Sequence, residues 1–293
     1  MKLFGNKGLL FTIIAVFSTI ACVAQNQDAG SGNDSLCSLY RKINTIKTDA
    51  GRRQANDVFY QKLSTMPANQ LFSLPFDSLK LTISVTESPD KTFRIFNWAV
   101  YYNAKAQYEF YGFIIVNQAN EYVLYPLSDK SAQMKSPEDQ TVTNKDWYGA
   151  LYYEIIPSGN EEDRYYVLLG WDGNDLFTNR KVIDVLWFDE NYVPNFGKPV
   201  LQFSQEDIRQ RVVFEFAETS TMKLRYEPKL KMIIFDHLVP SKPEFEGKYE
   251  YYGSDFTFDG LKFEDGKWTL NENVDLRNGK SKNKKAKKKH KKS

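Results

Sequence analysis

YYVLLGWDGNDLFTNRKVIDVLWF, residues 165–188, is two apolar runs, 165–171 and 182–188, separated by the turn-forming Asp172-Gly173-Asn174-Asp175. Runs of this length, closed by residues that tolerate or pre-set bends, are the mark of β-strands joined as hairpins. The pattern continues through 212–217, 222–226 and 230–235, with Asp189-Glu190-Asn191 and Glu227-Pro228-Lys229 among the turns. An antiparallel meander is therefore expected over 165–237.

Working outward, the period of two extends in both directions. Leu79, Leu81, Ile83 and Val85 alternate with Lys80, Thr82, Ser84 and Thr86, which predicts a half-buried strand. The run 108–116 is apolar on both faces and should lie centrally in its sheet. Residues 130–144 read as a surface loop, and 147–156 as a strand, although a helical start after Asn144 competes. Residues 249–252 and 256–263 are strand-like, and Glu264-Asp265-Gly266-Lys267 is a strong hairpin turn. The whole span 79–276 is expected to be one mainly β domain of about a dozen antiparallel strands. Sandwich, barrel and propeller-like forms all remain open. Strands that end in a ring followed by Asp (Trp171-Asp172, Phe188-Asp189, Phe235-Asp236, Phe258-Asp259) are unevenly spaced, which counts against the fixed period of propeller blades.

The N-terminal part differs. Two lysines in 1–8 followed by an uncharged apolar run over 9–23 form a secretory signal pattern, too short for a comfortable membrane span. A cut after Ala24 releases a soluble product, giving a 1–24 signal peptide. The alternative is a lipoprotein cut before Cys22, lipidated there, although Thr19 stands where Leu is usual. A flexible leader is expected at 25–34, then a helical cover at 35–68. Leu36, Leu39, Tyr40, Ile43 and Ile46 recur at helical spacing, as do Ala55, Val58, Phe59 and Leu63. Cys37 lies among the first set and reads as a small buried hydrophobe. Periplasmic or secreted localisation follows, with an outer-membrane lipoprotein as the alternative.

The formal charge of +2 conceals two opposed parts. The first 24 residues carry two lysines and residues 277–293 carry one arginine and nine lysines, with no acidic residue in either. Removing those twelve leaves 27 basic residues against 37 acidic ones, so the body is near −10. An acidic globule with a basic tail is not built for sequence-specific nucleic-acid binding. The tail is expected to be disordered, and Lys284, Lys285, Lys287, Lys288 and Lys289 are its candidate contacts to an anionic polymer.

Chemistry is sparsely provided. The body holds one histidine, His237, too few for a His-rich zinc site, and the chain has no G-x-S-x-G elbow and no Gly-rich phosphate loop. No catalytic residue, metal or cofactor is expected. The best local cluster is Trp171, Asp172, Asn174 and Asp175, a stacking ring beside oxygen ligands that suits calcium or a sugar, but a plain hairpin turn explains all four residues without a ligand and is the favoured reading.

The leader, the YYVLLGWDGN run at 165–174 and the KLKMIIFDHL run at 229–238 resemble exported β-rich proteins of Gram-negative bacteria, a group to which no activity is attached. The resemblance implies export and β structure. A non-enzymatic envelope scaffold that binds a protein or glycan is the leading expectation. A glycan-binding protein using exposed aromatics, and a glycoside hydrolase with a carboxylate pair, are the alternatives.

Overall fold

Residues 84–128 form a first sheet in chain order: β1 (Ser84–Glu87), β2 (Phe93–Tyr102), β3 (Gln107–Gln118) and β4 (Glu121–Ser128), an antiparallel meander. As its apolar faces require, β3 is flanked on both sides, by β2 and β4. The computed structural model describes residues 24–73, 83–119 and 121–276, with side chains from residue 35 onward. The leader with Cys22, the strand start at 79–82, and Lys284, Lys285, Lys287, Lys288 and Lys289 lie outside the described residues.

The second sheet contains β5 (Val142–Thr143), β6 (Leu151–Gly159), β7 (Arg164–Asp172), β8 (Thr178–Phe188) and β9 (Pro194–Phe196), in the order β5-β9-β8-β7-β6. The same edge of β8 pairs with β9 at Leu186–Phe188 and with β12 (Val212–Ala217) at Thr178–Ile183. The third sheet runs β11-β10-β16-β15-β14-β13. Its strands are β10 (Leu201–Gln202), β11 (Ile208–Arg209), β13 (Leu224–Glu227), β14 (Met232–Pro240), β15 (Tyr252–Glu264) and β16 (Lys267–Asn271), antiparallel except for β10 beside β16. None of the three closes into a barrel.

The three sheets stack, with the second in the middle. Tyr165, Val167 and Leu169 of β7 pack with Ile233, Phe235, Leu261 and Trp268 of the third sheet. Tyr166 and Leu168, on the opposite pleat, pack with Phe93, Ile95, Ile114 and Val116 of the first. A strand wetted on neither face has no reason to alternate polar and apolar residues, which is why residues 165–169 are continuously apolar. Removing such a side chain from water contributes roughly 1.5–3 kcal/mol, so this doubly covered sheet carries much of the stability.

The outer face of the first sheet is covered by helices. α1 (Ala24–Thr45) runs through the whole of the expected flexible leader, since no proline stops it there, and glycines at 30 and 32 cost only about 1 kcal/mol each in a helix. α2 (Asp49–Ser64) is capped by Thr48, whose hydroxyl accepts from the Gly51 amide, and α3 (Ala68–Ser73) follows Pro67. Leu36, Cys37, Ile43, Phe59 and Leu63 are buried against Phe96, Trp98, Val100 and Phe113. Phe59 meets Trp98 edge-on at 5.0 Å, and the Trp98 indole donates to Asn56 Oδ1 at 2.8 Å. Arg53 grips Glu109 with both guanidinium nitrogens at 3.0 and 3.2 Å, tying α2 to β3. No helix among the described residues is long and apolar enough to cross a membrane.

Several elements depart from the sequence reading. The helical start after Asn144 amounts to one turn, Asn144–Asp146, before β6. Residues Tyr249–Tyr251 form a short 3-10 turn, with the strand starting at Tyr252. β5, β9, β10 and β11 are two or three residues long, too short to show a period. Gly112 allows β2 and β3 their close approach, since a Cβ there would stand 2.5 Å from the Phe96 carbonyl oxygen.

Candidate functional site

The turn after β7 holds the cluster singled out from sequence. Asp172 is buried, accepting from the Asn174 amide at 2.8 Å on one oxygen and from the Tyr148 hydroxyl at 2.9 Å on the other. Asn174 takes a φ of 42°, and its side-chain Nδ2 donates to Thr178 Oγ1 at 2.6 Å. Asp175 accepts from the Phe177 and Thr178 amides at 2.8 and 2.9 Å. The Trp171 ring packs edge-on against Tyr108 at 5.3 Å. The fold thus brings Asp172, Asn174 and Asp175 together as a hairpin turn whose oxygens are engaged by its own backbone and neighbours. Burial raises the Asp172 pKa, while the Asn174 amide and Arg180 oppose the rise. Among the described residues no group of three or more His, Cys, Asp or Glu is placed to hold a metal ion.

Behind that turn lie charges that sequence reasoning missed. Arg180 reaches Asp172 at 3.6 Å and donates to Glu215 at 2.8 Å across the β8–β12 pairing. Deeper in, Asp184 and Arg211 are both fully removed from solvent, with Arg211 Nε 2.9 Å from Asp184 Oδ1. The contact is one of charge: the N–H is not aligned for a hydrogen bond, and Nη2 has no protein partner. Tyr152 donates to Asp184 Oδ2 at 2.7 Å, Trp147 donates to the Tyr152 oxygen at 2.9 Å, and Arg211 Nη1 donates to the Pro137 carbonyl at 2.7 Å. The available signal was Asp184 itself, a charge inside an otherwise apolar run, which demands a partner. These groups are enclosed between sheets and meet no cleft.

His237 on β14 faces a bulge in β15, where the step from Asp236 to Leu238 opposes the longer step from Phe258 back to Ser254. Its ring meets that neighbouring strand, with Nδ1 2.7 Å from Asp259 Oδ2. This pairing with Asp259 raises the His237 pKa against a partial burial that would lower it. Asp236 instead accepts from the Lys223 amide at 2.9 Å. Among the described residues no hydroxyl or thiol hydrogen-bonds to His237, so the pair lacks a nucleophile.

The recess richest in aromatic residues is a cleft of about 490 Å³ at the end of the stack where the β1–β2, β6–β7 and β8–β9 turns meet. Tyr166, Trp187, Phe188 and Tyr192 line it with rings. Tyr192, 50% exposed and at a φ of 61°, stands at the turn that Asp189 holds by accepting from the Asn191 and Val193 amides. Glu161, Glu162 and Glu190 are exposed on the rim, Asp163 pairs with Lys198 at 2.6 Å, and Arg164 reaches Asp90 at 3.4 Å. Burial and a hydrogen bond to Asp90 at 2.6 Å push the Tyr166 phenol up to about 12, so it is a neutral donor at any physiological pH. A larger hollow of about 580 Å³ between Lys130 and Asn195 has no aromatic wall and gives a ligand nothing to stack on. Comparison with family models, curated proteins and solved structures finds no match to this chain, so the reading rests on its own residues.

Proposed function

We propose that this protein is an exported, non-enzymatic β scaffold of the cell envelope whose aromatic cleft binds a glycan. The observation that carries the reading is the conjunction, in one recess, of the exposed Tyr192 ring with Trp187, Phe188 and a rim of carboxylates. Sugar rings present apolar faces that stack on aromatics, and hydroxyls that donate to carboxylates. Five carboxylates against Arg164 and Lys198 disfavour uronates and phosphorylated sugars, which leaves neutral and amino glycans as the ligand class. Export is supported by the basic start and apolar run of residues 1–23 and by the resemblance drawn from 165–174 and 229–238, with lipidation at Cys22 as the alternative to a soluble product. The scaffold role, as against hydrolysis, is supported by the state of the acids in the cleft: Asp163 is paired with Lys198, Asp189 accepts from the Asn191 and Val193 amides, and Glu161, Glu162 and Glu190 are exposed on the rim.

Calorimetric titration with neutral oligosaccharides tests the reading. Tyr192→Ala is expected to weaken binding about tenfold, the ~1.4 kcal/mol one stacked ring supplies, without change in melting temperature. Equal binding by Tyr192→Ala, or preference for uronate oligomers, would contradict it.

A further inference from the structure

Eight large apolar side chains are notably exposed among the described residues, and five of them gather at the end of the stack away from the cleft: Leu176, Phe177, Tyr249, Tyr251 and Phe256. Two turns and the bulge of β15 supply them. Leu176 and Phe177 cap the β7–β8 turn, where the Glu218 amide donates to the Phe177 carbonyl at 2.8 Å. From Glu218 the chain passes to Ser220, which abuts Gly253 and, with Phe256 and Phe258, lines one hollow. The turn Tyr249–Tyr251 runs beside β12 and leads into β15.

Phe256 is the most unusual of the set. It is 89% exposed and has a φ of 68°, a conformation that a bulky aromatic adopts only under constraint. The constraint is local: Ser254 Oγ accepts the Phe256 amide at 3.0 Å, and Asp255 accepts from the Thr257 amide at 2.9 Å and hydroxyl at 2.7 Å. The strain belongs to the bulge of β15 at 255–257, opposite His237, and the ring it presents touches solvent.

The last described residues run beside that ring. The Val274 amide donates to the Phe258 carbonyl at 2.7 Å, and residues 273–276 share a second hollow with Phe256. Lys280, the fourth residue beyond Leu276, opens the lysine series that includes Lys284, Lys285, Lys287, Lys288 and Lys289. We propose that this end docks on an anionic phospholipid bilayer, the lysines attracting the surface and Phe256 and Phe177 entering its interface. Charge argues for this occupant. The body near −10 is repelled by such a surface, and Glu218 and Asp255 at this end offset Lys223, which lines the hollow beside Phe256, so the tail lysines supply most of the attraction and bring the Leu276 end foremost. A polybasic segment alone holds a membrane reversibly, and inserted rings are the second signal that stable attachment needs.

Co-sedimentation of the full chain with phosphatidylcholine vesicles, with and without phosphatidylglycerol, tests the proposal. Preference for the anionic vesicles is expected, falling steeply with salt, and lost when the five named lysines become glutamine. Phe256→Gly removes the ring and relaxes the positive φ, so it is expected to weaken anionic-vesicle binding about tenfold while its melting temperature stays equal or rises. Phe177→Ser, in a separate turn, is expected to weaken binding with no loss of stability. Binding by Phe256→Gly and Phe177→Ser equal to the parent would overturn the proposal. So would absence of any preference for phosphatidylglycerol, or preference for soluble polyphosphate over the vesicles.

Discussion

The guanidinium of Arg211 lies 2.9 Å from the carboxylate of Asp184 with neither side chain exposed to solvent, in the layer between the first and second sheets. Arg211 immediately precedes β12, and Val212 stands opposite Ile183, so the pair forms only when β12 docks on β8 in this register. A pair in this setting specifies register more than it stabilises, because the cost of desolvating two charges offsets most of their attraction.

Asp184→Asn is therefore expected to cost about 3–5 kcal/mol, since it leaves Arg211 as a buried unpaired cation. The double variant Asp184→Leu with Arg211→Met should lose less than either single change. Urea denaturation of Asp184→Asn, and of the parent, Asp184→Leu, Arg211→Met and the double variant as a double-mutant cycle, measures this.

His237 gives the fold a pH dependence near neutrality. Its folded pKa is raised above 6.5 by Asp259, so its contribution is fully present below about pH 6.5 and is lost as pH rises through the folded value. Stability should decline across that interval, and His237→Gln should flatten the decline. Melting temperatures at a series of pH values give the answer. The side chain is 47% exposed, so the effect is small compared with that of the buried pair.

The helical cover responds to acid in the opposite sense. Amides of Ala104 and Asn103 lower the Asp49 pKa. At Glu109, burial acts upward but is outweighed by Arg53, Tyr111 and Lys105, so it too is lowered. Depressed carboxylates contribute stability above their unfolded pKa, near 4, that is lost as pH falls through the folded value. Acid should thus loosen α2 from β3 and expose Trp98, read as a red shift in tryptophan emission. Arg53→Ala should move that transition to higher pH.

Much of the fold was legible because burial writes itself into period. The both-faced apolar run of β3, the continuous run 165–169 and the positive-φ pair Asp265-Gly266 at the β15–β16 turn are local signals. Cys37 among Leu36, Leu39, Tyr40 and Ile43 likewise announced a buried thiol, 2% exposed. Stacking of three sheets was not legible, since it depends on which pleat faces which neighbour. The cleft escaped for a related reason: Thr92, Glu161, Trp187 and Tyr192 come from three turns that only the register aligns. Asp259 as the partner of His237 required a bulge, and the strain at Phe256 leaves no trace in residue type.

Stacking with the second sheet innermost underlies the buried Arg211–Asp184 pair, the cleft and the two-ended surface alike. Native-state hydrogen exchange reads it directly, because amides covered on both faces open only with global unfolding. The amides of Val167, Leu168 and Leu169 in β7 and of Val182, Ile183 and Val185 in β8 should be among the slowest to exchange, together with those of the helix-covered β2 and β3. Slowest exchange in β14 and β15, with β7 and β8 opening first, would contradict the arrangement.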